Sequence, residues 1–200
     1  PLVFIGHSRL TTNGTHYVNE NNHPVVRDQL VLVHNGIITN EPALADQYPT
    51  VERRSDVDTD ALLGVVQHLQ SEGRSLSEAV ATCFQQIEGT ASIALLEADL
   101  DALVLATNCG SLYTCHDAGK TTLIFASERY ILQQLLSRRE LRARYSASTI
   151  SPVRVNRAHR VTLGDLTVSA FDLAETRGRW PLDGGRQRVS PSIVDHAAEE

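Results

Sequence analysis

Ala91-Ser92-Ile93-Ala94-Leu95-Leu96, Leu103-Val104-Leu105-Ala106, Leu112-Tyr113-Thr114-Cys115 and Thr122-Leu123-Ile124-Phe125-Ala126 follow one another as short apolar runs separated by turn residues. Runs of this length are too short for helices, and their spacing predicts a strand meander. Upstream, Asp58 or Thr59 starts a helix with Ala61, Leu62, Val65, Val66 and Leu69 at helical spacing, ended by Gly73. Ser75 and Glu78 form a capping-box pattern for a second helix to about residue 87, stopped by Gly89. Leu30-Val31-Leu32-Val33 reads as a strand ending at a His34-Asn35-Gly36 turn, and Asn40 as the N-cap of a short helix through Tyr48. Leu2 to Ile5 reads as a short buried strand. Downstream, a helix is expected over 128–137 and strands near 150–155, 160–163 and 166–171. Strands in runs, with helices grouped between them, predict a layered α+β fold.

Two hundred residues suffice for one domain with a sizeable core. From Ala174 onward Gly, Pro and Arg recur without periodicity, so the domain is placed at 1–173 and a linker or tail at 174–200. The net charge of −6 argues against a nucleic-acid partner, which wants a basic face. Arg138, Arg139, Arg142 and Arg144 cluster, and read as a solvated helix end. No apolar stretch reaches membrane-spanning length and no signal peptide is visible, so no membrane partner is expected. Cys83, Cys109 and Cys115 make an odd set without metal-like pairing, which points to a reducing compartment and a cytoplasmic home. All three read as packing residues. Asn13-Gly14-Thr15 matches a glycosylation sequon and is read as chance. The sequence contains no methionine and opens on Pro1 inside an apolar run, which is expected of a processed or truncated piece.

Three islands hold the candidate chemistry. In Gly6-His7-Ser8-Arg9-Leu10-Thr11-Thr12-Asn13-Gly14, the Arg9 guanidinium offers a planar fork that suits a carboxylate, with Thr12 beside it; the alternative is a surface charge before a plain turn. In Val33-His34-Asn35-Gly36-Ile37-Ile38-Thr39-Asn40, the Asn35 amide and the Gly36 N–H offer two donors that can converge on an oxyanion; the alternative is a hairpin turn. His34 reads as a packed, hydrogen-bonded side chain. In Ser55-Asp56-Val57-Asp58-Thr59-Asp60, one carboxylate could face an ammonium, or the acids could serve the helix N-terminus. A calcium loop is excluded because its glycine and distal glutamate are missing, and the histidines show no metal spacing. A guanidinium, an oxyanion pair and a carboxylate answer the carboxylate, amide chemistry and ammonium of a free amino acid.

In this order the islands resemble the glutaminase domain of class II glutamine amidotransferases, which are N-terminal-nucleophile hydrolases. Asn22-His23-Pro24, Glu88-Gly89-Thr90-Ala91, Ala106 to Leu112 and Phe125-Ala126-Ser127-Glu128 resemble further family landmarks, so the likeness spans roughly residues 5–170. It implies a four-layer αββα sandwich of two antiparallel sheets, here without its N-terminal part. Arg9 would bind the glutamine carboxylate, with Thr12 and the Asn13 backbone beside it. Asn35 and Gly36 would form the oxyanion hole, and Asp58 would take the ammonium. No cofactor or metal is implied. Asn13 stands where the family has a histidine, and Leu10 where it has a tryptophan, which marks a divergent member.

The family nucleophile is a cysteine at the mature N-terminus, several tens of residues before the arginine island. Its α-amine, with a pKa of ~7.7–8.0, is the base. No cysteine precedes Arg9 in these 200 residues, so as written they are expected to bind glutamine without turnover. The His34-Asn35-Gly36-Ile37-Ile38 run resembles the glucosamine-6-phosphate synthase branch, with fructose 6-phosphate as ammonia acceptor. Ile193 to Glu200 resembles the linker before that branch's sugar-isomerase domain. The implied partners are glutamine, a C-terminal synthase or isomerase domain in the same chain, and further copies in a homo-oligomer. The competing readings are a glutamine-binding regulatory domain without a nucleophile, and a glutaminase like that of asparagine synthetase or phosphoribosylpyrophosphate amidotransferase.

Overall fold

A computed structural model describes residues 2–8, 17–99 and 101–174. The strand signals resolve into two antiparallel sheets. The larger has six strands in the order β1 (Val25–Arg27), β2 (Leu30–Ile38), β3 (Gly89–Glu97), β4 (Ala102–Thr107), β8 (Arg157–Thr162) and β9 (Val168–Asp172). The smaller has three, β6 (Leu123–Ala126), β5 (Tyr113–His116) and β7 (Ser151–Pro152). The expected meander therefore divides: β3 and β4 stay in the large sheet, while β5 and β6 form a hairpin of the second.

Helices cover both outer faces. α1 (Glu41–Gln47), α2 (Asp58–Ser71) and α3 (Leu76–Gln86) lie against the large sheet, and α4 (Arg129–Leu136) and the short α5 (Arg139–Arg142) lie by the small one. The layers follow from strand alternation, which sends successive side chains to opposite faces. Leu32, Ile93, Leu95 and Val104 join Leu62, Val66, Val80 and Phe84 in the core between large sheet and helices. Val33, Ala94, Leu103 and Leu105 turn the other way and meet Leu112 and Val153 between the sheets. Cys115, Leu132 and Tyr145 fill the space under α4. The result is the αββα sandwich that the resemblance implies.

The Ser75–Glu78 capping box forms in both directions, as its pattern predicts. Asn40 does not cap α1 through its side chain. It reaches across to accept the Glu88 N–H at 2.8 Å and donate to the Gln86 carbonyl at 2.8 Å, fastening the α3–β3 junction to the end of β2. Leu2 to Ile5 is not a strand. Val3 and Ile5 lie against the inter-sheet core, whereas Leu2 and Phe4 are 80% and 82% exposed, so alternate members of the apolar run find no cover. The linker expected at 174–200 lies, beyond Ala174, outside the described residues.

Candidate functional site

The second island is a strand, not a turn. β2 runs through His34, Asn35 and Gly36, and pairs with β3 along its whole length, from Leu30 opposite Glu97 to Ile38 opposite Gly89. The Asn-Gly pair failed as a hairpin signal because nine paired residues outweigh a local turn preference. Gly36 sits at φ +142°, and a Cβ there would fall 2.0 Å from the Thr90 carbonyl oxygen. Gly89, at φ +107°, would clash likewise with the Ile37 carbonyl. Both glycines let the two backbones approach at this end of the sheet.

Register sorts the side chains. Asn35 lies opposite Ser92, which lies opposite Thr107, so the three share the inter-sheet face. Asn35 is exposed. The Ser92 and Thr107 hydroxyls are 2.8 Å apart. Beside them, Cys109 Sγ approaches Ser92 Oγ at 3.4 Å and Thr107 Oγ1 at 3.7 Å. Cys83 and Cys115 are buried, as packing residues should be, but Cys109 is exposed. It lies just past the end of β4, where the Thr107 hydroxyl accepts the Gly110 N–H at 2.9 Å and turns the chain. Partial burial would raise its thiol pKa. Contacts from the Ser92 hydroxyl, the Ser111 N–H and the Thr107 hydroxyl outweigh this and lower it. By contrast, burial alone pushes the Cys83 thiol up to about 12.

The three acids of the third island have three different fates. Asp60 is buried in a two-pronged ion pair with Arg27, whose Nε and Nη2 each donate at 2.9 Å, and it accepts the Arg54 N–H at 2.8 Å. Asp56 exchanges hydrogen bonds with the Asn21 side chain: its N–H donates to Asn21 Oδ1 at 2.9 Å, and Asn21 Nδ2 donates to its carboxylate at 3.2 Å. Asp58, the first residue of α2, accepts the Ile38 N–H at 2.8 Å. The residue capping α2 is Val57, so no aspartate side chain serves as the helix cap.

That bond from Ile38 brings the second and third islands together, since Ile38 lies two residues beyond Gly36. On its other oxygen Asp58 meets Thr59 Oγ1 at 3.4 Å and lies 3.6 Å from His34 Nδ1. Burial would raise the Asp58 pKa. The His34 contact and the Ile38 N–H outweigh it and hold the carboxyl below its ordinary value, so the group stays ionised. Among the described residues, no arginine or lysine pairs with it.

Arg9, Thr12 and Asn13 lie outside the described residues. The stretch that enters their island is nevertheless anchored: His7 Nδ1 lies 2.9 Å from His23 Nδ1, and His23 Nε2 lies 2.8 Å from Thr59 Oγ1. His7, His23, Thr59 and Cys109 were not visible as site residues in the sequence. The sequence marked only the segments that hold the first two, Gly6 to Gly14 and Asn22-His23-Pro24. Among the described residues, no three His, Cys, Asp or Glu side chains cluster to hold a metal, and no helix is long and apolar enough to cross a membrane.

A family model described as a glutamine amidotransferase domain matches residues 7–134. The glutamine–fructose-6-phosphate aminotransferase (isomerizing) of Bacillus subtilis strain 168 is 31% identical over 134 residues, covering 66% of this chain and 22% of that enzyme. The enzyme of the same name from Shouchella clausii is 35% identical over 99 residues, covering 48% of this chain and 16% of that one. The chain thus spans about a fifth of the length of these curated relatives. Among solved structures, the glutamine phosphoribosylpyrophosphate amidotransferase of Bacillus subtilis superposes with a TM-score of 0.63 at 14% identity, over 85% of this chain and 34% of that one. This last likeness is one of fold.

Proposed function

The chain belongs to the glutamine amidotransferase domain family, and from that membership we propose that it binds L-glutamine and, together with an N-terminal cysteine, hydrolyses it to glutamate and ammonia. The observation that supports this most is the Ile38–Asp58 bond, which seats an ionised carboxylate, unpaired with arginine or lysine among the described residues, beside the Asn35-Gly36 strand end. Asp58 takes the substrate ammonium. Arg9 grips the carboxylate through its fork, with Thr12 and the Asn13 backbone adjoining. The Asn35 amide and Gly36 N–H stabilise the oxyanion that forms when the side-chain amide is attacked.

Buried Cys83 and Cys115 cannot reach a substrate, so neither is the nucleophile. Cys109 is exposed, but among the described residues it meets hydroxyls and a backbone N–H, none of which can serve as its base. The 200 residues alone therefore bind glutamine without turning it over. By likeness to the two aminotransferases, the ammonia acceptor is fructose 6-phosphate, handled by a synthase domain of the same protein.

Calorimetric titration of the chain with L-glutamine tests the reading. Binding is expected, weakened by Arg9→Lys because a point charge does not reproduce the fork. No heat of binding in the unsubstituted chain, or equal affinity in Arg9→Lys, would refute it. Glutamate release abolished by replacing Cys83, Cys109 or Cys115 would refute the assignment of the nucleophile.

A further inference from the structure

Four side chains from separate parts of the sequence touch in series beneath the site. His7 lies two residues before Arg9 in the first island, His23 lies before β1, Thr59 is on α2 and His34 is on β2. The contacts run His7 Nδ1 to His23 Nδ1 at 2.9 Å, His23 Nε2 to Thr59 Oγ1 at 2.8 Å, and Thr59 Oγ1 to His34 Nδ1 at 3.2 Å. His34 Nε2 then meets the Thr90 carbonyl at 3.4 Å. Thr59 and His34 are buried, with relative exposures of 0% and 3%.

Donor counting orders this chain. A carbonyl only accepts, so His34 Nε2 carries a hydrogen. In the neutral ring Nδ1 is then bare, and it accepts the single Thr59 hydroxyl proton. With that proton spent, the Thr59 oxygen accepts from His23 Nε2–H. His23 Nδ1 is bare in turn, and His7 must donate from Nδ1–H. With neutral rings, the order that serves these four contacts runs His7 to His23 to Thr59 to His34 to the Thr90 carbonyl, with the single Thr59 proton shared between His34 Nδ1 and Asp58 Oδ1. Asp58 sits at the branch point, with Oδ1 3.4 Å from Thr59 Oγ1.

We propose that Thr59 and His34 are positioning residues for Asp58, and that the ordered chain through His23 and His7 ties the segment entering the Arg9 island to the carboxylate that takes the substrate ammonium. This rests on the glutamine reading above. A substrate carries its carboxylate and ammonium on one carbon, so the groups that grip them must keep a fixed separation. The contacts connect His7, two residues before Arg9, to Thr59, the neighbour of Asp58. In the neutral order the Thr59 proton faces both His34 and Asp58, which fixes the carboxylate beside the end of β2.

The test combines tautomers with binding, on the 200-residue chain. Long-range 1H–15N correlation at a pH where the rings are neutral should show His34 and His23 as Nε2–H forms and His7 as the Nδ1–H form. His7 is diagnostic because an imidazole in water favours Nε2–H. Thr59→Val should release His7 from Nδ1–H and weaken L-glutamine about tenfold, the scale of one hydrogen bond to a charged group. Thr59→Ser, which keeps the hydroxyl, should restore both. His7 as Nε2–H in the unsubstituted chain, or Thr59→Val binding glutamine as tightly as Thr59→Ser, would overturn the proposal. Correct tautomers in a chain that binds no glutamine would instead overturn the glutamine reading, and with it the positioning role.

Discussion

The N-terminal turn of α2 and the β5–β6 hairpin each hold buried carboxylates, and they hold them differently. In the hairpin, Asp117 accepts the Thr121 and Thr122 N–H groups at 2.7 and 2.8 Å and the Arg144 Nε at 2.9 Å. In α2, Asp60 has the same kind of company, with Arg27 and the Arg54 N–H. Both acids are answered by an arginine and join pieces of chain: Asp60 pins the 52–55 loop and β1 to α2, and Asp117 pins the segment after α5 to the hairpin. Asp58, two residues from Asp60, has a backbone N–H, a hydroxyl and a histidine instead. A carboxylate that fastens the fold is neutralised within the protein. Asp58, which on the proposed reading receives a cationic ligand, is held by donors other than arginine or lysine among the described residues.

The sharpest way to break this contrast is to remove one member of the Arg27–Asp60 pair. The side chains are 3% and 1% exposed, so either Arg27→Ala or Asp60→Asn leaves a buried group without its partner. A loss of about 3–5 kcal/mol in unfolding free energy is expected by urea denaturation. Asp58→Asn should cost much less, because Asn can still accept the Ile38 N–H. Equal losses at the two positions would erase the distinction between fastening and receiving acids.

Next comes the reaction itself. In an enzyme supplied with its N-terminal cysteine, Asn35→Ala should lower kcat by ~10²–10³, with a smaller change in KM, since an oxyanion donor acts mainly on the transition state. Asp58→Asn should show the opposite split, with glutamine affinity reduced about ten- to a hundredfold and kcat at saturation less affected. If both variants lose affinity equally and keep full turnover at saturation, the proposed division of labour is wrong.

The layered fold was legible because it depends on pattern. Period-2 and period-3.6 apolar runs fix which face of each element is buried, and the Ser75–Glu78 box fixes where α3 starts. What misled was local chemistry with long-range partners. Asn35-Gly36 has the composition of a hairpin turn, and only β3, more than fifty residues on, makes it a strand. Asn40 looks like an N-cap, but its amide finds Gln86 and Glu88. The alternation Asp56, Asp58, Asp60 gives no hint of which acid meets an arginine, because Arg27 arrives from β1. The candidate site was proposed from the sequence as a set of residue types through family likeness. The link between its islands, through Ile38, Thr59 and the histidines, exists only once the chain is folded.

The smallest expected effect concerns Asp117 and separates it from Asp58 by pH. Burial would raise the Asp117 pKa, but the Thr122 N–H, the Thr121 hydroxyl and N–H, and Arg144 outweigh it and hold the carboxyl far below its ordinary range. A carboxylate whose folded pKa is depressed adds stability that is fully present above its unfolded value of ~3.9 and is lost as the pH falls toward the folded value. Asp58 is depressed as well, so both contribute acid sensitivity with the same sign. Asp117→Asn removes one such contribution: the variant should be less stable than the unsubstituted chain at neutral pH, and the gap should narrow as the pH falls below ~4. Urea midpoints measured from pH 7 to pH ~2.5 on both proteins, with L-glutamine binding followed in parallel, make the comparison. The Asp117 variant should keep its glutamine affinity at neutral pH while losing stability, the reverse of Asp58→Asn. Parallel stability curves, with a gap that does not narrow in acid, would show that the clamp at Asp117 does not depend on its charge.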